Sequence, residues 1–593
     1  MEMYAEFENS PRTFQADFEE VHVASQETPN ALKYVPQNLT PEQQAQARQN
    51  IRAIELSQAQ SISKSMAYAV RDIADATAGI TTGLLDALYA PAYYSTLAGA
   101  VADLNGKTIG MNAEPTAENA VCALYEDFDG NTCLVLLADV ESTEFTTFTE
   151  SVIFKINGHT LSLPDSAKIK FSGDNSVIDG RVEGSCITKK AKVISSNLPV
   201  IDMTGTNTQI LSVVFDMTIE SATAMIAAIL ARSECVTDGI KISVKVNGGN
   251  ATIYNAMTQS GGVLKMRKSK IVLNSLSAGT AAGVKAQSSG KGLYLDQCEI
   301  TVDQEDGTVC GIADSMPEFS SFYDTDITCC TRNGSAYSLS KDTGEANIDK
   351  CKLYSSATTG SAVSLNLHTQ NSKVSAQKSV FFSDGTTGSV NDNEKAISIG
   401  VTNYGHLTLD DCAVYGTHSG MQCSEGSTTI VNGGVYEGVG HGGLYLACVD
   451  GNFYGQNATF RAAPYRGKFK DLFNYSRTYL VAAVYIGGGE DNNNIKAYVD
   501  NCIFDGSGPC IYESSDGKPQ GAEPIRFRGS LGEQNNAIYA SNCTFMGDGE
   551  IRFINDTHRL YLGFGNRLLC EATIPACVDS TTYAGKVFTN YEE

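Results

Sequence analysis

Three short groups of residues could act on a sugar polymer, and they follow one another along the chain. They are the pair Asp410-Asp411, the glycine-flanked His441, and the basic residues Arg466 and Lys468. Paired carboxylates can share glycoside hydrolysis, because one donates a proton while the other activates water. Arginine binds a carboxylate through two parallel hydrogen bonds, which suits an acidic sugar. Asp410 and Asp411 are therefore candidate catalytic residues, and the alternatives are a role in a structural repeat for these residues and a turn for the glycine-flanked His441.

The segment of about 436–490 combines aromatic with basic residues in a chain that is otherwise acidic. Its aromatic residues are Tyr436, Tyr445, Tyr454, Phe460, Tyr465, Phe469, Phe473, Tyr475, Tyr479 and Tyr485. Aromatic rings and cationic side chains together suit a charged sugar. The candidate ligand-binding residues are Glu437, His441, Arg461, Tyr465, Arg466 and Lys468. The alternative is an insertion that packs on the body or on a neighbouring subunit.

A repeated unit predicts the element that positions these residues. It consists of two polar residues, a small residue, a variable residue and a bulky apolar residue. Copies begin at Arg267, Asp296, Asp349, Gln377, Asp410, Asp500 and Ser541, with looser copies at Tyr323 and Gln456. Steps of about 21 to 33 residues suit a solenoid coil of three short strands, and about 15 coils would fit. The small residue should fill an inward slot near a corner, with the bulky residue beside it in the core.

A helix is predicted before the strands. Thr40 is a favourable N-cap, Pro41 suits the first helical position, and Gln43 completes a capping box. Apolar residues then follow a heptad spacing from Ala59 to Ile80. This stripe predicts a coiled coil between subunits, and its isoleucines favour a coiled coil of three helices. The alternative is an amphipathic helix that packs on its own domain.

Composition excludes several functional classes. The formal net charge is −24, which disfavours binding to nucleic acid and to anionic membranes. No apolar run approaches the length of a membrane span, and the first residues do not resemble a signal peptide. The 17 cysteines lack a CxxC pair, so we expect buried reduced thiols rather than a zinc site. We expect no cofactor and no metal.

Residues 38–51 resemble a short helix that is widespread in bacteriophage tail fibres and baseplate-attached proteins. The matching residues include Leu39-Thr40, Gln43, Ala47-Arg48 and Asn50-Ile51. Arg52 stands where that motif normally has glycine, which is consistent with a helix that continues into the heptads. The resemblance implies a subunit of a phage tail.

The strand-rich region resembles the pectate-lyase-like β-helix proteins that are common among tailspikes, with 156–161 similar to their first coil. The order of Asp410-Asp411, His441 and Arg466/Lys468 also resembles the signature of polygalacturonase-type hydrolases. In that family, carboxylates perform acid and base catalysis and the basic pair binds a uronate, so the resemblance implies that Asp410, Asp411 and His441 are candidate catalytic residues. The Asn-Thr-Asp of that signature has no counterpart before Asp410.

We therefore expect a mainly β protein, a right-handed parallel β-helix with an N-terminal coiled-coil neck, assembled as a homotrimer. Residues 1–35 would be a virion-attachment arm and 36–95 the helical motif and neck. Residues 96–140 would form a transition or cap, 141–565 the β-helix body, and 566–593 a C-terminal cap.

The predicted function is that of a tail fibre or tailspike subunit that attaches the phage to a host-cell surface glycan. A polysaccharide depolymerase and a purely structural tail protein are the alternatives. The expected partners are a host glycan or receptor, two further copies of the chain, and tail or baseplate proteins at the N-terminus. We expect neither nucleic-acid binding nor membrane insertion. The expected location is the virion, after synthesis in the bacterial cytoplasm.

Overall fold

The computed structural model describes most of the chain beyond residue 90. The described residues are 91–570 and 587–589, apart from 114–117, 128, 165–166, 195–197, 223–225, 250–252, 386–396, 425, 439–441, 447–450, 463–481, 487–493, 508–522, 528–535, 548–550 and 554–558. They belong to one compact unit, Tyr89–Glu593. The predicted arm (1–35) and the predicted heptads (59–80) lie outside the described residues.

The described chain is mainly β-structure, and its strands form three sheets, here called A, B and C. Sheet A consists of Ala92–Tyr94, Cys122–Glu126, Thr132–Leu136, Ile153–Lys155, Val177–Asp179, Thr208–Leu211, Cys235–Asp238, Val263–Arg267, Gly292–Asp296, Ser320–Tyr323, Gly344–Asp349, Ser372–Gln377, His406–Asp410, Thr428–Asn432, Asn452–Gln456, Lys496–Asp500, Ala537–Ser541, Arg559–Leu562 and Val587–Thr589.

Sheet B consists of Val140–Glu141, Thr160–Pro164, Cys186–Ile194, Val214–Ala222, Lys241–Val246, Lys270–Ser275, Glu299–Asp306, Asp326–Asn333, Lys352–Thr359, Val380–Gly385, Ala413–Gly416, Val435–Gly438, Thr459–Ala462, Ile503–Gly506, Thr544–Gly547 and Arg567–Cys570. Sheet C consists of Phe145–Phe148, Lys168–Phe171, Leu198–Met203, Ile226–Ala231, Ile253–Gln259, Thr280–Ala286, Thr308–Asp314, Ala336–Lys341, Ser361–Leu367, Ile397–Asn403, Ser419–Cys423, Gly442–Leu446, Ala482–Ile486, Glu523–Phe527 and Arg552–Phe553.

From Thr132–Leu136 onward, the chain visits the sheets in the order A, B, C, and each strand pairs in parallel with the strand of the next coil. Leu293 in sheet A, for example, pairs with Ser320 of the following coil, and Ile300 in sheet B pairs with Ile327. This winding is a parallel β-helix, as the repeat predicts. We call the connections between successive strands of one coil the A–B turn, the B–C corner and the C–A corner.

The repeat unit corresponds to the A–B turn. In one copy, Asp296 ends a strand of sheet A, Gln297 adopts a positive φ of 55°, and Cys298 is buried at 3% exposure. The strand of sheet B then begins with Glu299, and Ile300 points into the core. The inward slot predicted for the small residue is therefore confirmed. The cysteines of this slot are buried and free: Cys298, Cys351, Cys412, Cys502 and Cys543.

Some copies of the A–B turn do not match the residue pattern of the repeat unit. The wide gaps before Cys502 and Cys543 contain no skipped copy of the A–B turn, because Gln456 pairs with Asp500 and Asp500 pairs with Ser541 in adjacent coils. A further copy lies at 432–436, where two glycines with φ of 74° and 88° replace the polar and small residues. Earlier copies carry Val213 or Ile240 in the slot, so the small-residue criterion misses them.

The N-terminal end of the core is covered by one helix and an antiparallel extension of sheet A. Helix α1 spans Leu97–Gly106, begins at the N-cap Thr96, and buries Leu97, Val101 and Leu104. The strand Ala92–Tyr94 pairs antiparallel with Cys122–Glu126. Tyr94 is 1% exposed, and its hydroxyl donates to Asp103 at 3.0 Å. The final residues of the 36–95 segment, assigned from sequence to the neck, thus pack as part of the β-helix body.

Candidate functional site

A line of outward side chains crosses sheet B from coil to coil. We call it the sheet B column; its residues are Tyr354, Phe382, Tyr415, Glu437, Arg461 and Asp505, each in register with the next. Adjacent strands of a sheet lie about 4.8 Å apart, so side chains at equivalent positions touch. The first three residues are aromatic and the last three are charged.

The aromatic half of the column is a stack. The ring centroids of Tyr354 and Phe382 are 5.5 Å apart, and those of Phe382 and Tyr415 are 4.5 Å apart. Their planes differ by 18° and 15°, so the rings face one another along the column. Phe382 remains 36% exposed. The stack therefore presents an apolar strip to solvent, which is a common floor for a ligand that carries C–H groups.

The charged half is built around one arginine. Arg461 Nη1 donates to Glu437 Oε1 at 2.8 Å, and its Nε donates to Asp505 Oδ2 at 3.0 Å. The three side chains are 41%, 31% and 12% exposed in the order Arg461, Glu437, Asp505. Two carboxylates against one guanidinium leave an excess of negative charge. Burial opposes ionisation of Asp505, but hydrogen bonds from Ser507 and Arg461 outweigh it, and the pKa of Asp505 is lowered.

The B–C corner beside the column holds a second polar group. The Thr417 hydroxyl is 3.4 Å from Asp384 Oδ1 and also accepts from the Gly385 amide at 2.8 Å. Burial raises the pKa of Asp384, although the hydrogen bond from Thr417 acts against this shift. Burial lowers the pKa of His418 to about 4, so its imidazole is neutral at physiological pH. A carboxyl whose pKa is raised stays protonated to a higher pH, and the protonated form can donate a proton.

Three segments between a strand of sheet B and the following strand of sheet C lie outside the described residues: 386–396, 463–481 and 508–522. They follow the strands that carry Phe382, Arg461 and Asp505. The corner between them at 416–419 is short.

The residues proposed from sequence fall into three groups. Glu437 and Arg461 lie in the sheet B column and bind each other. Asp410 and Asp411 lie in an A–B turn, where Asp410 ends a strand and Asp411 has a φ of 49°. The structure does not bring them into the charged half of the column. His441, Tyr465, Arg466 and Lys468 lie outside the described residues.

The aromatic residues of the 436–490 segment are distributed over several faces of the β-helix. Tyr436 and Phe460 point into the core, where their ring centroids are 5.3 Å apart. Tyr445 and Tyr485 form an edge contact on sheet C, and Tyr454 is exposed on sheet A. The described aromatic residues of this segment therefore do not share one face of the β-helix.

Sequence reasoning missed four members of the column: Tyr354, Phe382, Tyr415 and Asp505. They lie about one coil apart in sequence, so no local motif contains two of them. The repeat could have found them, because each follows its own A–B turn at a fixed offset. Tyr354, for example, is three residues after Cys351, and Tyr415 is three after Cys412.

Among the described residues, no group of three or more His, Cys, Asp or Glu side chains is arranged to hold a metal ion. The one helix in this part of the chain is too short to cross a membrane.

Comparison with known proteins gives little. No protein-family description matches the chain, and no curated protein does. A solved structure of a PL6-family alginate lyase aligns at 8% sequence identity and a TM-score of 0.16, over 77% of this chain and 96% of that chain. The fold assignment therefore rests on the strand pairing described above.

Proposed function

We propose that this chain is a receptor-binding subunit of a bacteriophage tail fibre or tailspike, and that it attaches to a host-cell surface glycan. The tail context comes from the resemblance of residues 38–51 to a helix of tail proteins. The binding role is supported by one structural feature, the sheet B column, in which an apolar strip continues in register into a row of hydrogen-bonding groups. Sugars offer both C–H surface and hydroxyl groups to such a strip.

The charges of the column favour a neutral sugar or an amino sugar. Two of the five N–H donors of Arg461 already bind Glu437 and Asp505, and these two carboxylates offset its positive charge, which weakens its attraction for a uronate. The second carboxylate leaves the group negative, which repels an acidic ligand and attracts an ammonium. The acidic sugar predicted from Arg466 and Lys468 would need those residues, which lie outside the described part of the chain.

A depolymerase is the second proposal, and Asp384 supports it. Hydrolysis needs a carboxyl that stays protonated until it reaches the leaving group. Burial raises the pKa of Asp384, whereas that of Asp505 is lowered. Incubating the protein with polysaccharide and measuring new reducing ends tests this proposal. Loss of such activity in Asp384→Asn, with binding retained, would support it, and absence of any new ends would remove it.

The binding proposal can be tested by titration calorimetry on the full chain with three oligosaccharide probes. Chitosan, chitin and polygalacturonate fragments are cationic, neutral and acidic, respectively. We expect the first two to bind, and Tyr415→Ala to weaken them by roughly 1 to 2 kcal/mol, as expected for an aromatic contact in a binding site. Tyr323→Ala is the control, because Tyr323 is an exposed tyrosine, at 38%, that lies on sheet A.

Two results would contradict the binding proposal. One is binding of chitosan or chitin fragments that Tyr415→Ala and Phe382→Ala leave unchanged while both variants remain folded. The other is absence of binding to all three probes and to intact cell-wall polymer.

A further inference from the structure

A lysine and an aspartate lie in the core of the β-helix, at the ends of two adjacent strands of sheet C. Asp314 and Lys341 pair in register across adjacent coils, and both side chains are 0% exposed. Lys341 Nζ lies 2.7 Å from Asp314 Oδ2. The residues in register on either side of the pair, Ala286 and Leu367, are apolar and buried. Two charged side chains therefore occupy a position where the neighbouring coils have apolar ones.

Two further residues fix the geometry of this pair. The Ser320 hydroxyl donates to Asp314 Oδ2 at 2.5 Å and accepts from Lys341 Nζ at 3.4 Å. The Met316 amide donates to Asp314 Oδ1 at 3.1 Å, and the Met316 carbonyl accepts from Lys341 Nζ at 3.1 Å. The nitrogen is thus held against one oxygen of the carboxyl group, a hydroxyl bridges the two groups, and an amide donor contacts the other oxygen.

This environment favours a reaction between the two side chains. Burial removes the hydration of both ions, and their mutual attraction has to offset that cost. Transfer of one proton from Lys341 Nζ to Asp314 Oδ2, directly or through the Ser320 hydroxyl, leaves a neutral amine against a neutral carboxylic acid. Two reactants held in contact react much faster than two free ones, because folding has already removed the entropy that their encounter costs.

We propose that Lys341 and Asp314 condense to an isopeptide bond that cross-links two adjacent coils of the β-helix. Lys341 Nζ attacks Asp314 Cγ, and the Met316 amide stabilises the negative charge that develops on Oδ1. The bond from Cγ to Oδ2 then breaks, and Oδ2 leaves as water with two of the three ammonium protons, while the third stays on the amide nitrogen. The Ser320 hydroxyl relays protons from Nζ to Oδ2. The reaction consumes no oxidant and no co-reactant.

The bond would join the strands Thr308–Asp314 and Ala336–Lys341 at their ends, where register already brings them together. It would replace two buried charges by one neutral amide, which removes the cost of their desolvation. The proposal concerns the stability of the body and does not rest on the sheet B column or on the proposed ligand.

Mass spectrometry of the full-length folded protein tests the proposal. With all thiols reduced, we expect an intact mass that is lower than the sequence mass by one water molecule. Trypsin cleaves after Arg332, between the two residues, so the cross-link should join two peptides that otherwise separate. The same bond should block cleavage after Lys341. Fragmentation of the branched peptide should locate the bond at Asp314 and Lys341.

Three variants identify the chemistry. Asp314→Asn should condense with release of ammonia instead of water, so its product should have the same mass as the cross-linked unchanged protein. Ser320→Ala keeps both reacting groups but lacks the proton relay, and its cross-linked fraction should grow roughly 100-fold more slowly after synthesis. The double variant Asp314→Leu/Lys341→Met replaces both charges by apolar groups, which a buried site tolerates, and it should keep its full sequence mass.

The ion pair between Lys270 and Glu299 is the matched control within the same molecule. It also joins adjacent coils, and its nitrogen and oxygen are likewise 2.7 Å apart, but its side chains are 48% and 52% exposed. Water hydrates both ions there, so the peptides that contain Lys270 and Glu299 should be recovered without a cross-link.

Three outcomes would overturn the proposal. The first is a folded protein with its full sequence mass, from which the peptides of Asp314 and Lys341 are recovered separately. The second is a loss of one water molecule that persists in Asp314→Leu/Lys341→Met, because the water would then come from another site. The third is equal cross-linking of Lys270 with Glu299, because burial would then not be the cause. Peptide recovery from the unchanged protein decides the first and third outcomes even if a variant fails to fold.

Discussion

Asp411 illustrates how backbone conformation can explain a residue that looks catalytic. Its φ of 49° lies in the left-handed region, and Asn457, Asn501 and Asn542 hold the equivalent position of other coils with φ of 57°, 49° and 52°. Asparagine and aspartate tolerate this region better than other non-glycine residues. The carboxylate is therefore not required for the turn, and Gln297 and Lys350 hold the equivalent position in other coils with φ of 55° and 56°.

This leads to a prediction about two substitutions. Asp411→Asn should change the free energy of unfolding by less than about 0.5 kcal/mol, whereas Asp411→Val should cost about 1 to 2 kcal/mol through the left-handed backbone. Denaturant unfolding monitored by circular dichroism measures both. If the protein degrades a polymer, Asp411→Asn should retain that activity, and a complete loss would return Asp411 to the catalytic residues.

Asp505 should make stability depend on pH. Its pKa is lowered because hydrogen bonds from Ser507 and Arg461 outweigh the effect of burial. A carboxyl whose folded pKa is depressed stabilises the protein above its unfolded pKa, about 3.9, and this stabilisation is lost as pH falls through the folded value. Asp505→Asn should therefore lower the melting temperature at pH 7, and the difference should shrink below about pH 4.

Glu318→Gln provides the control for this measurement. Glu318 is exposed, and it has no ion-pair partner in the described part of the chain. Its replacement should leave the melting temperature nearly unchanged at both pH values. An Asp505→Asn difference that stays constant from pH 7 to pH 3 would contradict the assignment of Arg461 and Ser507 as the groups that stabilise the carboxylate.

At the scale of one coil, the A–B turn could be predicted from the sequence because its residues are contiguous. A polar strand end, a residue with positive φ and a buried small residue recur within three positions, as at Asp349, Lys350 and Cys351. The sheet B column could not be predicted from the sequence, because its successive residues lie about 22 to 44 positions apart. The ion pair between Arg461 and Asp505 could not be predicted for the same reason, since Asp505 belongs to the next coil.

The inward slot predicts slow thiol chemistry. Burial raises the pKa of Cys351 to about 12, and those of Cys298 and Cys412 to about 11. Because the thiolate is the reactive form, these cysteines should alkylate slowly in the native protein at pH 8. Cys330 is partly exposed on sheet B and should react faster than its buried neighbour Cys329. Labelling followed by mass spectrometry of peptides gives each rate, and rapid labelling of Cys351 would contradict the slot.

At the scale of the molecule, the N-terminal cap determines the first residue from which the β-helix body can fold on its own. Leu97, Val101 and Leu104 of α1 cover the end of the core, and Asp103 receives hydrogen bonds from Tyr94 and from the Asn112 amide. A chain that starts at Thr96 would lose Tyr94 and the strand Ala92–Tyr94, and would leave Asp103 without one of its partners. Removing a partner from a buried polar group costs about 1 to 3 kcal/mol.

We therefore predict that a chain beginning at Tyr89 folds, while one beginning at Thr96 melts at a lower temperature. We also predict that the full chain is a trimer through the heptads from Ala59 to Ile80, and that the chain from Tyr89 is a monomer. Light scattering at micromolar concentration separates three copies from one, and circular dichroism reports the β-structure of both.

A trimer presents three equivalent binding sites, so the full chain should bind a glycan-coated surface more tightly than the monomer by an avidity factor of roughly 100 or more, while both bind one free oligosaccharide equally. A single copy of the full chain per particle would refute the trimer, and a trimeric chain from Tyr89 would move the subunit contact from the heptads to the β-helix body.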